Sequence, residues 1–224
     1  MTAGSHRPAV LLPVLFLPAT LFAQAAAPAP EMHRRHGDAT AYIASLEDPA
    51  RDAYQKPAEV LQALALRPGE VVADIGAGSG YFTLRFARAV GETGRVYAVD
   101  VSPDMVRHLN RRLRDAGVRN VVPILSDPND PLLPDASVDR FVIVNTWHHI
   151  EDQPKYLGLL KRMLKPGGQV VHIDFQKRDL PVGPPVDMKI AREDLVKQME
   201  TAGFRLSAEH GFLPYQYFLV FSVR

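Results

Sequence analysis

Three groups of residues in this chain could do chemistry: glycines that follow an acid, carboxylates that end apolar runs, and an adjacent histidine pair. In Val71-Val-Ala-Asp-Ile-Gly-Ala-Gly-Ser-Gly-Tyr81 an apolar run carries Asp74 and opens into Gly76, Ala77, Gly78 and Gly80. A helical pattern begins at once, at Phe82-Thr-Leu-Arg-Phe-Ala87. That order suits a strand feeding a tight turn into a helix N-terminus, where glycine lets the backbone turn and lets a ligand approach it. A nucleoside-bearing cofactor would sit there, at the carboxyl end of a parallel strand. A dinucleotide loop asks for Gly-x-Gly-x-x-Gly with a pyrophosphate on the helix N-terminus. Here the third glycine comes one residue early, and Asp74 would repel a pyrophosphate. The loop therefore suits a nucleoside that carries a cation better than one that carries phosphates.

Asp100 closes a second apolar run about twenty residues past the loop, the spacing at which a carboxylate can accept from both ribose hydroxyls. The histidines, His148 and His149, follow Trp147 directly after a third apolar run. An imidazole there could take a proton near neutral pH. The alternative is helix-start packing. The two are adjacent, not at metal-ligand spacing, so no metal site is expected. Trp147 is either a core anchor or a wall of a substrate pocket.

Elements of α/β type must position these groups. Strands are expected at Val71–Asp74, Arg95–Asp100, Asn120–Leu125, Val138–Asn145 and Gln169–Phe175. Helices are expected at Ala58–Leu66, Tyr81–Val90, Pro103–Ala116 with Ser102 as N-cap, Pro154–Leu164 and Arg192–Thr201. The centre of the fourth strand, Phe141 to Val144, is wholly apolar, as in a strand buried on both faces. Phe204–His210 and Tyr217–Val223 read as a closing antiparallel pair. Strand and helix in alternation mean a Rossmann-like, doubly wound, mostly parallel sheet of seven strands with that antiparallel pair at its end.

The net charge of +1 and the absence of cysteine bound the function. Nothing in that balance argues for nucleic-acid binding. The basic residues Arg107, Arg111, Arg112, Arg114 and Arg119 fit the solvated face of a helix. Disulfides, thiolate metal sites and cysteine nucleophiles are excluded. At the N-terminus, His6 and Arg7 precede an apolar run from Ala9 to Ala23, and Ala23-Gln-Ala25 offers small residues for cleavage. This is the pattern of a secretory signal, with an uncleaved anchor as the alternative. The expected organisation is therefore signal or anchor over 1–25, linker and helical cap over 26–57, and the main domain over 58–224. Export to the periplasm or beyond is expected, with membrane contact only if the first segment is retained.

From about Glu59 to the C-terminus the chain resembles the class I S-adenosylmethionine-dependent methyltransferases. Val71 to Gly80 resembles the first motif of that superfamily and Tyr97-Ala-Val-Asp100 the second. Ser126-Asp127 followed by Leu133-Pro-Asp-Ala-Ser-Val-Asp139 resembles the third-strand acid and the stretch after it. Leu164-Lys-Pro-Gly-Gly168 resembles the turn before the fifth strand. The nearest subgroup is the small enzymes grouped with quinone-biosynthesis and arsenite methyltransferases, although arsenite chemistry relies on thiolates that this chain lacks.

The resemblance implies S-adenosylmethionine as cofactor and a small molecule or protein side chain as methyl acceptor. Gly76, Ala77, Gly78 and Gly80 would shape the loop under the methionine part, with Asp74 near its amino group. Asp100 would hold the ribose, Val101 would pack on the adenine and Asp127 would accept from the adenine amine. Asn145 would line the methyl-transfer site, with His148 and His149 as candidate bases. The acceptor would be recognised by the N-terminal helices and the loop from Gln176 to Lys189, and Tyr54 could close over the cofactor. A nicotinamide-dependent dehydrogenase and a non-catalytic cofactor-binding protein are the alternatives.

Overall fold

The structure is a computed structural model that describes Met1 and residues 39–224. The signal-like segment 1–25 and the first part of the linker lie outside the described residues, apart from Met1. The described chain opens with three helices, α1 (Ala39–Glu47), α2 (Asp52–Gln55) and α3 (Pro57–Leu64). Then the alternation begins: β1 (Val71–Ile75), α4 (Thr83–Val90), β2 (Arg95–Asp100), α5 (Pro103–Asp115) and β3 (Val121–Leu125). It continues with β4 (Val138–Val144), α6 (Gln153–Met163), β5 (Leu164–Phe175), α7 (Arg192–Thr201), β6 (Phe204–His210) and β7 (Gln216–Val223).

The seven strands form one sheet in the order β3-β2-β1-β4-β5-β7-β6. β1 pairs in parallel with both β2 and β4, while β7 runs antiparallel between β5 and β6. The chain therefore reverses its direction of winding between β1 and β4, and the crevice at their carboxyl ends is where ligands bind in open α/β sheets. Two apolar layers flank the sheet. Phe141 and Ile143 of β4 join the layer that holds α6 and α7, and Val142 joins the layer that holds α3 to α5. This is the two-sided burial expected of an apolar strand. Ser102 caps α5 as expected, its hydroxyl accepting from the Met105 amide at 3.4 Å.

Three expectations need correction. The Lys165–Gly168 turn is not a break before β5 but an excursion within it. Leu164 still pairs with Val138, and the register resumes at Arg140 and Gln169. Lys165 fastens that excursion by donating to Asp139 at 2.7 Å. β4 ends one residue early, at Val144, because Asn145 takes a left-handed backbone with φ of 53°. α4 starts at Thr83, two residues late, because the glycine turn extends through Phe82.

Trp147 is a core anchor. It is fully buried, its indole donates to Gln198 of α7 at 3.3 Å, and its ring meets Tyr156 and His172 edge-on. His172 is the unusual member of that core. Both ring nitrogens are buried with no hydrogen-bond partner among the described residues. Burial pushes its pKa down from 6.5 to about 3, so the folded state keeps the ring neutral. The unfolded chain protonates it at its ordinary value. This contribution to stability is therefore whole above pH 6.5 and is lost as pH falls towards 3. By pH 5 the loss should reach about 2 kcal/mol. Urea denaturation of wild type and His172→Leu at pH 7 and pH 5 should show this extra loss in the wild type alone. Equal losses would mean that the ring finds a partner.

Candidate active site

The loop between β1 and α4 is held in a shape that only glycine adopts easily. Gly76, Gly78 and Gly80 have φ of 73°, 55° and 85°. The start of the loop turns back on β2: Gly76 and Ala77 both donate to the Val99 carbonyl, at 2.9 and 3.0 Å. A Cβ on Gly76 would lie 2.2 Å from the Thr146 hydroxyl, and one on Gly80 would lie 2.5 Å from Leu109 Cδ1. The glycines thus serve close packing as well as turning, and the loop lies directly against the residues that follow β4.

Asp100, at the end of β2, ties this loop in place. One carboxylate oxygen accepts from the Gly78 amide at 2.7 Å and the other from the Ser102 amide at 2.9 Å. Four acceptor lone pairs outnumber these two donors, so holding the loop does not preclude holding hydroxyls. Val101 follows, half-buried. Asp127, beyond β3, is exposed and forms a turn in which Oδ1 accepts from the Asn129 amide at 2.8 Å. Ser126, beside it, donates its amide to the Asp100 carbonyl at 3.0 Å, which places this third acid next to the second.

Asp74 is buried and accepts from the Thr83 hydroxyl at 2.6 Å. Burial raises its pKa from 3.8 to about 7, the Thr83 hydrogen bond opposes the rise, and the charge of Asp100 adds to it. A cation brought close would favour the ionised form and draw the pKa down again.

The chain leaves β4 through Asn145, whose amide donates to the Ile173 carbonyl at 2.8 Å. A single helical turn, Trp147–His149, follows. It places His148 Nδ1 3.1 Å from Asp174 Oδ2, with both side chains 3% exposed. The other Asp174 oxygen accepts from the Phe175 amide at 2.8 Å, which fixes the carboxylate. The His149 ring lies 4.2 Å from that of His148, centroid to centroid. The buried Tyr217 hydroxyl has no hydrogen-bond partner among the described residues, and burial followed by the charge of Asp174 raises its pKa. A histidine held by a fixed carboxylate is an arrangement able to accept a proton. Asp174 gives no sign of this in sequence, because it sits inside an apolar run.

The N-terminal cap covers the loop, though not as expected. α1 is the covering element: Leu46 Cδ1 would lie 3.1 Å from a Cβ on Gly78. Burial and then the charge of Asp100 raise the Tyr42 phenol pKa, against the opposing charge of Arg51. Tyr54 instead stands further along the sheet edge, with its ring 6.3 Å from Phe175 and 6.2 Å from Tyr215. Arg112, read from sequence as part of a solvated face, is a latch. Its Nη1 donates at 3.0 Å both to the Ser79 carbonyl in the loop and to Glu47 at the end of α1. His108 meets the same Glu47 oxygen at 2.7 Å.

These residues fit S-adenosylmethionine on two counts. The loop offers a backbone surface that side chains could not share, and Asp74 is a buried carboxylate suited to a neighbouring ammonium group. The comparisons agree. A family profile described as "Methyltransferase domain" matches residues 72–168. The ubiquinone/menaquinone biosynthesis C-methyltransferase UbiE of Hydrogenovibrio crunogenus is 36% identical over 118 residues, 52% of this chain. That match spans only 46% of the relative's own length. The crystal structure of an S-adenosylmethionine-dependent methyltransferase from Aquifex aeolicus superimposes with a TM-score of 0.79 at 30% identity. The superposition covers 84% of this chain and 99% of that one. An arsenic(III) S-adenosylmethionine methyltransferase from Chlamydomonas reinhardtii shares the fold alone, at 22% identity and a TM-score of 0.57 over 70% of this chain and 64% of that one.

Packing around the loop predicts unequal outcomes for two glycines of similar φ. Gly117, at φ of 65°, has nothing within 4 Å of a built Cβ, so Gly117→Ala should cost about 1 kcal/mol from backbone conformation. Gly76→Ala adds the collision with Thr146 and should cost about 3 kcal/mol or more. Denaturant titration of both variants checks this, and equal costs would show that the contact with Thr146 is loose.

Proposed function

We propose, on the premise that the chain belongs to the S-adenosylmethionine-dependent methyltransferases, that it carries a methyl group to a small-molecule acceptor in the β1/β4 crevice. When bound, S-adenosylmethionine supplies an electrophilic methyl on a sulfonium. The protein has then to align the acceptor, exclude water and remove a proton where the attacking atom arrives protonated. Gly76 to Gly80 and Asp100 hold the methionine and ribose parts. Asp74 faces the amino group, Val101 and Asp127 flank the adenine, and Asn145 lines the transfer site. His148 takes the acceptor proton on Nε2 while Asp174 steadies the ring through Nδ1. His149 packs against that ring. Burial of the pair shields the proton transfer from bulk water.

The observation that carries this reading is the direct contact between the glycine loop and the segment bearing the histidine pair. The space at Gly76 ends on Thr146, and the Thr146 carbonyl accepts from the His149 amide at 2.9 Å. A cofactor site and a proton acceptor thus share one junction.

Cofactor titration in a calorimeter, followed by transfer of labelled methyl to extracts of the source cells, tests the reading. S-Adenosylmethionine should bind and NAD should not, and label should enter the small-molecule fraction. Label confined to macromolecules would overturn the acceptor class, and binding without any labelling would favour a non-catalytic protein. Asp100→Ala should abolish cofactor binding with the fold retained. Asp174→Asn should leave cofactor affinity unchanged and lower turnover about 100-fold.

Asp74 adds a separate signature. With a pKa of about 7 it is near half-protonated at neutral pH, and a bound ammonium group favours its ionised form. Binding at pH 7 should therefore release about half a proton. The apparent enthalpy should differ between Tris and phosphate buffers by that fraction of their ionisation enthalpies, and Asp74→Asn should remove the difference.

The signal-like segment 1–25 leads us to place this site in an exported or membrane-anchored protein. N-terminal sequencing of protein from fractionated source cells should find a start near Ala26 outside the cytosol, or an intact segment in the membrane. An intact chain in the cytosol would overturn this placement.

A further inference from the structure

Next to the transfer site, three side-chain amides from distant parts of the chain meet in a chain of hydrogen bonds. Gln216, the first residue of β7, donates to Asn145 Oδ1 at 2.7 Å and to Gln55 Oε1 at 3.2 Å. Gln55 ends α2 of the N-terminal cap, and both glutamines are 1% exposed. Two atoms of this hydrogen-bonded trio have no partner among the described residues: Gln55 Nε2 and Gln216 Oε1. Turning the amides over does not cure this. Gln216 bridges the other two, so if its inner atom becomes the oxygen, the inner atoms of Gln55 and Asn145 must become nitrogens. The outer atoms then exchange roles, and one buried donor and one buried acceptor are left over in either assignment. Buried polar groups are almost always paired, so this corner lacks a partner that both accepts and donates.

Its place says what the partner is. Asn145 leaves β4 at the switch point of the sheet, and Gln216 pairs in register with Phe175 at the carboxyl end of β5. Phe175 in turn meets Tyr54, the neighbour of Gln55. The corner therefore lies at the ligand-binding edge, with an aromatic wall beside it and neutral amides as its polar groups.

We propose that Gln55 and Gln216 form an uncharged recognition corner of the acceptor site. They hold the acceptor by a neutral group able both to donate and to accept a hydrogen bond, such as a hydroxyl or a carboxamide edge. A carboxylate offers only acceptors to the pair and an ammonium only donors, so each leaves one buried atom unmatched. The proposal rests on the methyl-transfer reading of the crevice. It adds that Gln55 makes the N-terminal cap part of acceptor recognition, so that acceptor binding and cap closure depend on each other.

Side-chain amide NMR on glutamine-labelled protein tests it. The probes are 2-pyridone, which presents N–H and C=O on one edge, with benzoate and benzylamine as charged counterparts of similar size. Each is titrated with and without S-adenosylhomocysteine. The Gln55 and Gln216 amide resonances should shift with 2-pyridone alone. Gln55→Met and Gln216→Met should each weaken 2-pyridone binding at least tenfold without changing S-adenosylhomocysteine affinity. Equal shifts with the charged probes would overturn the proposal. So would amides that respond to no probe, which would mark a corner filled by water. If S-adenosylhomocysteine fails to bind while 2-pyridone still shifts both amides, the corner stands and the methyl-transfer reading falls.

Discussion

Two strands end side by side at the carboxyl edge of the sheet, and the site depends on how their ends are joined. The Asp100 carboxylate reaches from β2 to the Gly78 amide beyond β1 while its other oxygen takes the Ser102 amide at the start of α5. Charge-assisted bonds of this kind are stronger than neutral ones, and here both donors are backbone amides with no rotamer freedom to lose. The glycine loop consequently has one shape, set by the sheet beneath it. The Gly76 and Ala77 amides fall on the Val99 carbonyl, Gly76 closes on Thr146, and Gly80 closes on Leu109 of α5. Parallel pairing of β1 with both β2 and β4 puts all of these contacts within a few residues of the switch point.

Around that edge the protein keeps several polar groups buried. Asp74 is shifted upward by burial, and the His148–Asp174 pair is enclosed. The amides of Gln55, Gln216 and Asn145 form a chain in which Gln55 Nε2 and Gln216 Oε1 have no partner among the described residues. His172 shows the contrast. It lies deeper, between Trp147 and Phe221, and its neutral ring acts as an aromatic filler. The buried polar groups at the sheet edge border the β1/β4 crevice, whereas His172 within the core affects only stability.

The cap is joined to this edge at two separate points. Arg112 holds Glu47 of α1 and the Ser79 carbonyl of the loop at once, and Gln55 of α2 reaches Gln216 of β7. The first tie reaches the glycine loop and the second the first residue of β7, beside Asn145. One short N-terminal segment is thus tied both to the loop after β1 and to the start of β7.

Period and punctuation were sufficient to read the sheet. Apolar runs bounded by glycine, proline and acid identified seven strands, and the early third glycine with Asp74 and Asp100 identified the kind of cofactor. These are local signals, because a left-handed turn or a two-sided apolar strand is demanded by adjacent residues. The boundaries that moved did so for tertiary reasons: Leu164 keeps its pairing to Val138, and Asn145 turns left-handed with its amide on the Ile173 carbonyl. Nothing near Asp174 in sequence marks it as the partner of His148, which lies 26 positions away. Gln55 and Gln216 are 161 positions apart, and Arg112 looks like any other arginine on its helix. The sequence by itself determined the sheet and the cofactor loop, since neighbours in the chain impose those conformations. Only the tertiary structure decided which acid, amides and arginine come together at the carboxyl edge of the sheet, because the crossovers between strands bring distant residues to one edge.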